Sequence, residues 1–228
     1  KMSIPKRIVF VDVETTGLHP YIHEVVQFAG IIYDPSSCRI LEEAEFKVEV
    51  RNLSAADPVS LQMNGYSQVV WDKEAISKGY ALHLIRSFIG NNPWGGHNVW
   101  YDKECILWEM NRWNVPYDRT KWPNHRNVDT CSLAYTLELR GLVPDRKLLT
   151  LAEYFGTRLP DHTALNDLRA TIEVFESLND VYTQGTLSLT SFQDTPFKRP
   201  EEEIETNSEI KRLRCLQMIE NLKSPHFQ

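Results

Sequence analysis

Residues 7–11 read as a buried strand: apolar and β-branched after Arg7, with a basic stretch before and Thr-Thr-Gly beyond, in the order IVFVDVETTGL over residues 8–18. The strand stops at two acids. Positions i and i+2 of a strand share a face, so Asp12 and Glu14 project together from its C-terminal end. Two carboxylates held side by side repel and raise each other's pKa unless a cation lies between them. A sheet built on this strand must therefore end where such a charge can be answered. The same Asp-x-Glu also suits a solvated turn, so the motif needs partners elsewhere in the chain.

Two further segments supply them. Pro93-Trp-Gly-Gly96 reads as a turn into a short strand near residues 95–99, followed by a helical run over 102–113 with Ile106, Met110 and Trp113 at helical spacing. Asp102 falls at the N-cap or first turn of that helix, a place an acid also fills for capping alone. Residues 162–167, HTALND, then open an amphipathic run: Leu168, Ile172, Phe175, Leu178 and Tyr182, a helix of about five turns. His162 sits on the loop before it and Asp167 in its first turns. A helix N-terminus attracts anions, so a scissile phosphate approaches it favourably. Four carboxylates able to converge in one cleft are what two divalent ions require, and a histidine beside them is what activating a water requires. The combination reads as metal-dependent phosphodiester hydrolysis.

The remaining pattern predicts strands at 7–11, 25–32, 39–50, near 95–99 and 126–129, and helices at about 76–89, 102–113, 130–138, 148–155 and 163–184. Three strands followed by alternating helix and strand suggest a mixed sheet with helices on both faces. Phe46, Val48 and Val50 alternate with Glu45, Lys47 and Glu49, as in a sheet with one wetter face.

These motifs resemble those of the DEDD exonuclease family, the DnaQ-like 3′–5′ exonucleases, in its histidine subclass. Asp-x-Glu-Thr-Thr-Gly-Leu matches residues 12–18. His-Asn-x-x-aromatic-Asp matches His97, Asn98, Tyr101 and Asp102, and His-x-Ala-x-x-Asp matches His162, Ala164 and Asp167. The tyrosine subclass needs Tyr four before the last acid, where this chain has Thr163. Secondary signatures also fit: PVSLQMNG at 58–65, Val128-Asp129-Thr130, and LAEYFG at 151–156. The resemblance covers about residues 6–183. It implies an α/β, ribonuclease-H-like fold, a mixed five-stranded sheet flanked by helices, with a C-terminal helical extension.

The resemblance also implies roles. Asp12, Glu14 and Asp167 would hold the metal that binds the attacking water, and Asp12 and Asp102 would help hold a second on the leaving 3′ oxygen. Mg²⁺ suits an all-oxygen site, with Mn²⁺ able to substitute. His162 would take the proton from the water, an imidazole being suited to proton transfer near neutral pH. Thr15, Thr16, Gly17 and Leu18 resemble the segment touching the terminal nucleotide, Leu18 wedging at its base and Gly17 permitting close backbone approach. Asn98 is expected to contact substrate or orient Asp102, Tyr101 to contact substrate, and His97 to be structural. The expected product is nucleoside 5′-monophosphate from DNA 3′ ends. The alternatives are an exoribonuclease trimming RNA 3′ ends and, against the intact ligand set, an inactive binding module.

Composition bounds the rest. The formal net charge of −6 is unusual for a nucleic-acid enzyme; two Mg²⁺ would add +4 to that −6 and leave −2, so modest affinity and weak processivity are expected. One basic stretch, residues 112–126, carries Arg112, Arg119, Lys121 and Arg126 among Trp113, Trp122 and His125. It suits either a single strand held by stacking or a surface loop with its tryptophans turned inward. No apolar run of membrane-spanning length and no signal peptide are expected, and Cys38, Cys105, Cys131 and Cys215 form no C-x-x-C pair, which suggests free thiols in a reducing, cytoplasmic compartment. Residues 184–200 read as a Thr/Ser/Pro linker and 201–228 as an amphipathic helix. That helix would fold back on the core, pair with a second copy, or dock a polymerase-like partner.

Overall fold

The expected first strand is β1 (Ile8–Thr15), and it lies at the centre of a sheet. The computed structural model describes residues 7–117, 122 and 125–189. Its other strands are β2 (Val25–Asp34), β3 (Arg39–Lys47), β4 (Trp94–Gly96) and β5 (Asn127–Asp129). The order across the sheet is β3-β2-β1-β4-β5. The β1–β2 and β2–β3 pairs are antiparallel, and β1–β4 and β4–β5 are parallel. This is the mixed five-stranded sheet of the ribonuclease-H-like fold.

Alternation along β1 feeds two cores. Val9, Val11 and Val13 face one side, packed with residues of α3 (Lys78–Ile89) and α4 (Val99–Arg112) such as Leu82, Ile85, Ile106 and Met110. Ile8 and Phe10 face the other, against Leu168 and Ile172 of α8 (Ala164–Leu189). Glycine makes the narrow centre fit: a Cβ at Gly95 would stand 2.8 Å from the Phe10 ring. Smaller helices surround these: α1 (Pro58–Met63), α2 (Gln68–Glu74), α5 (Thr130–Leu133), α6 (Tyr135–Leu139) and α7 (Leu148–Phe155).

Several expected boundaries move. The strand near 95–99 ends at Gly96, and the next helix begins at Val99 rather than 102. Asn98 takes the left-handed conformation at φ 61° as its N-cap, a geometry that asparagine tolerates. Asp102 is thus a first-turn acid, not the cap. The 130–138 helix breaks at Ala134 into α5 and α6. The helix expected to end at 184 runs to Leu189, so the first residues assigned to the linker are helical. Residues 190–228, including the amphipathic segment and Cys215, lie outside the described residues, as do Arg119 and Lys121. Trp122 is buried against Trp94 and Tyr117, which supports the inward-facing alternative for the tryptophans of that stretch.

A charged cluster lies inside the α3–α4 layer. Lys78 is fully buried, with Nζ 3.2 Å from Glu24 and 3.0 Å from Glu109. It also donates to the Val25 carbonyl at 2.7 Å. Arg112 pairs with Glu109 at 2.7 Å from the other side.

Candidate active site

Asp12 and Glu14 follow Phe10 in alternation, so both point to the α8 side of the sheet. Their strand is left partly free at this end. β4 is three residues long and pairs only with Val9 and Phe10, and the β2 register slips between Glu14 and Thr15. The Val13 N–H, beyond the reach of β4, donates instead to Asp102 Oδ1 at 3.0 Å. A backbone donor thereby ties the first turn of α4 to the strand carrying the other two acids. Asp167 comes from the first turn of α8, where its Oδ1 accepts the Asp161 N–H at 2.9 Å.

Electrostatics shows that these acids share one space. Asp12 is held well above the usual carboxylate range, first by burial, then by the charges of Asp102, Glu14 and Asp167. Glu14 is pushed up to about 7 by burial and by Asp167, against the pull of His162. Burial pushes Asp102 to about 8, although the Val13 N–H draws it down. Asp167 is also raised, again by burial first, with His162 opposing. His162 therefore lies in the field of Glu14 and Asp167; it is exposed, on the loop before α8, with φ at +63°.

Among the described residues no three His, Cys, Asp or Glu side chains are drawn into a ready-made cage for one ion. The donor set fits Mg²⁺ nonetheless. It is all oxygen, and Mg²⁺ takes one or two carboxylates, keeps several waters and leaves positions for substrate phosphate, needing no all-protein cage.

The 15–18 segment borders the acids and is braced from several directions. Tyr101 Oη donates to the Gly17 carbonyl at 3.0 Å and lies 3.1 Å from Thr15 Oγ1. Asn64 Nδ2 donates to the Thr15 carbonyl at 3.0 Å, and the Asp57 N–H to the Thr16 carbonyl at 2.7 Å. Thr16 is buried, and its hydroxyl accepts the Glu24 N–H at 2.9 Å; this side chain builds the framework instead of facing a nucleotide. A Cβ at Gly17 would stand 2.5 Å from the His23 ring, so any other residue there would displace that ring. Leu18 is 74% exposed.

Asn98 is exposed, and its N–H donates to Asp129 Oδ1 at 2.7 Å. His97 Nδ1 lies 2.9 Å from Thr130 Oγ1, and burial lowers its pKa, in keeping with a structural role. Sequence reasoning passed over Asn64, Asp57 and Val13 as supports. An Asn-Gly pair at 64–65 was a usable signal for the first; a backbone N–H offers none. Arg112, the first cation of the basic 112–126 stretch, is committed to Glu109 and to the carbonyls of Tyr21 and His23.

Fold and site together define a ribonuclease-H-like domain with a cluster of acids at the end of its central strand. The RNase_T family model, described as Exonuclease, matches residues 9–175. The chain belongs to this family, the DnaQ-like exonucleases. E. coli Exonuclease I in complex with a dT13 oligonucleotide is similar in structure, with a TM-score of 0.66 at 19% identity, over 79% of this chain and 43% of that one. Exonuclease I from Methylocaldum szegediense gives 0.66 at 18% identity, over 78% and 43%. A DNA polymerase III PolC-type protein of Mycoplasmopsis pulmonis is 26% identical over 138 residues, 59% of this chain and 9% of the polymerase. The chain thus spans less than half the length of these solved structures and a small part of the polymerase. Among the described residues no helix is long and apolar enough to cross a membrane.

Proposed function

We propose that this chain is a 3′–5′ exonuclease of the histidine subclass that releases nucleoside 5′-monophosphates from single-stranded or frayed DNA ends. The observation that carries the reading is the electrostatic convergence of Asp12, Glu14, Asp102 and Asp167 from β1, α4 and α8, with His162 in the same field. Structural packing alone has no use for four raised carboxylates at the end of one strand.

Asp12, Glu14 and Asp167 would hold one Mg²⁺, and Asp12 with Asp102 a second, partly through waters. When bound, the pair supplies an activated water and neutralises charge on the entering and leaving oxygens. His162 accepts the proton of the attacking water at a ring nitrogen, and its exposed position beside the cleft lets it pass that proton to solvent. Tyr101 and Asn64 keep the backbone of Thr15 and Gly17 in place, so that Leu18 presents its side chain to the terminal base. DNA is favoured because the similar Exonuclease I structures hold deoxyoligonucleotides.

The test is digestion of matched 5′-labelled single-stranded DNA, duplex DNA and RNA in Mg²⁺ and in EDTA, beside Asp12→Ala. The expected result is a metal-dependent ladder shortening from the 3′ end, fastest on single-stranded DNA and absent in the variant. Faster RNA trimming would reassign the substrate. No cleavage of any of them in Mg²⁺ or Mn²⁺ would leave a binding role.

A further inference from the structure

A row of rings leads away from the acid cluster along α4. Trp108 and Arg112 stand seven and eleven positions beyond Tyr101 along the helix, on one stripe. Tyr101 bonds the Gly17 carbonyl in the first turn, Trp108 meets Tyr21 further on, and Arg112 donates to the carbonyls of Tyr21 at 3.0 Å and His23 at 3.3 Å at the far end. Residues 17–23 form the loop of the β1–β2 hairpin, closed by the Thr16 N–H to the Glu24 carbonyl at 2.8 Å, and the loop lies against α4 from its first turn to its last. Their rings follow one another: His23 and His19 stack at 6.2 Å, His19 and Tyr21 lie at 5.7 Å, and Tyr21 meets Trp108 edge-on at 6.4 Å. Tyr21 and Trp108 remain 58% and 44% exposed.

We infer that Tyr21 and Trp108, continued by His19, form a stacking platform for the bases of a single-stranded polynucleotide upstream of its cleaved 3′ end. Three observations choose this occupant. The row belongs to the loop that borders the acid cluster, so it lies within reach of a strand whose end enters there. The loop carbonyls of Tyr21 and His23 are already satisfied by Arg112, so the surface offers rings and not unpaired polar groups. The chain carries a net charge of −6, so phosphate attraction contributes little, and stacking on aromatic faces is the sequence-tolerant term left. The inference rests on the exonuclease reading for the direction of the strand, but binding can be measured without turnover.

The test uses fluorescence anisotropy of 5′-fluorescein dT2 and dT12, and of U12, with the full chain in EDTA. Wild type should bind dT12 at least tenfold tighter than dT2, the order that stacking of one or two bases supplies. Tyr21→Ala with Trp108→Ala should erase that gap, and Tyr21→Phe with Trp108→Phe should keep most of it, since a ring suffices. U12 should behave as dT12, because a stack does not read the sugar. A wild-type gap below threefold, or a gap that survives the double alanine variant, overturns the platform; the second result makes the row a protein-facing patch. Failure of the digestion experiment with the gap intact would remove the hydrolytic reading and leave the platform standing.

Discussion

In the absence of divalent metal the acid cluster should make this protein less stable as pH rises, and Glu14→Gln should remove a measurable part of that loss. Glu14 rises from 4.5 to about 7 on folding, through burial and the Asp167 charge. The folded state then holds its proton more tightly than the unfolded chain, so between those two values it binds more protons. The sign follows: the contribution is fully present below pH 4.5, is lost as pH rises to about 7, and stays lost above it. At about 1.4 kcal/mol per pH unit, ionised Glu14 costs about 3 kcal/mol. Urea unfolding in EDTA at pH 4.5, 6 and 8 measures this. Taking the difference between Glu14→Gln and wild type cancels the titrating groups outside the cluster, while the Glu14 charge on Asp12 and Asp102 adds to the gain in the same direction. Glu14→Gln should gain about 3 kcal/mol on wild type between the first and last pH, and Mg²⁺ should shrink the gain by stabilising the ionised wild type. Parallel pH–stability curves for the two proteins in EDTA would refute the claim that Glu14 sits in a shared, buried acid cluster.

Three further outcomes follow from the same geometry. His162→Ala should lose about a hundredfold or more in kcat on single-stranded DNA while calorimetric Mg²⁺ binding persists; wild-type turnover would end its role as base. Tyr101→Phe removes both hydroxyl contacts to the 15–18 segment and should raise KM about two- to tenfold, as the loss of a neutral hydrogen bond does; an unchanged KM would mean the segment does not position substrate. Lys78→Met leaves Glu24 and Glu109 buried without their cation and should cost about 3–5 kcal/mol, seen by calorimetry as a drop of roughly 6–20 °C in Tm. A drop of less than 3 °C would show that the two acids are relieved some other way.

The parts of this molecule legible in its sequence are those where one physical period or one chemistry acts alone. β1 is a short apolar run ended by acids, and α7 matches its expected bounds of 148–155 because its apolar spacing is regular and Gly156 closes it in the left-handed region. Asp12, Glu14, Asp102, His162 and Asp167 stood out because few other uses explain those residue types at those spacings. What stayed hidden depends on distant partners or single backbone angles. The start of α4 turns on Asn98 entering the left-handed region, which the preceding Gly-Gly-His masks. Thr16 reads as a substrate contact only because it lies inside the motif; its hydroxyl is taken by the Glu24 N–H across the hairpin. Arg112 reads from sequence only as one cation of a basic stretch, because the carbonyls it serves lie 91 and 89 positions away.

Two of those hidden contacts lie on one helix, α4, and the buried ion cluster holds that helix in register. At its first turn α4 sets Asp102 against the Val13 N–H, and at its last turn Arg112 holds the loop that begins at the active site. The two ends are about 15 Å apart. A slide of one helical turn, about 5.4 Å, would break both at once. Apolar side chains such as Ile106 and Met110 resist separation of the layers but tolerate sliding far better than a charge does. Lys78, set between Glu24 at the start of β2 and Glu109 on α4, accepts only one register, since any displacement leaves a buried charge unpaired. Desolvation cancels much of what this cluster contributes to stability. What it does contribute is the alignment of α4 with β1 and the loop, the alignment on which the fourth carboxylate and the ring row both depend.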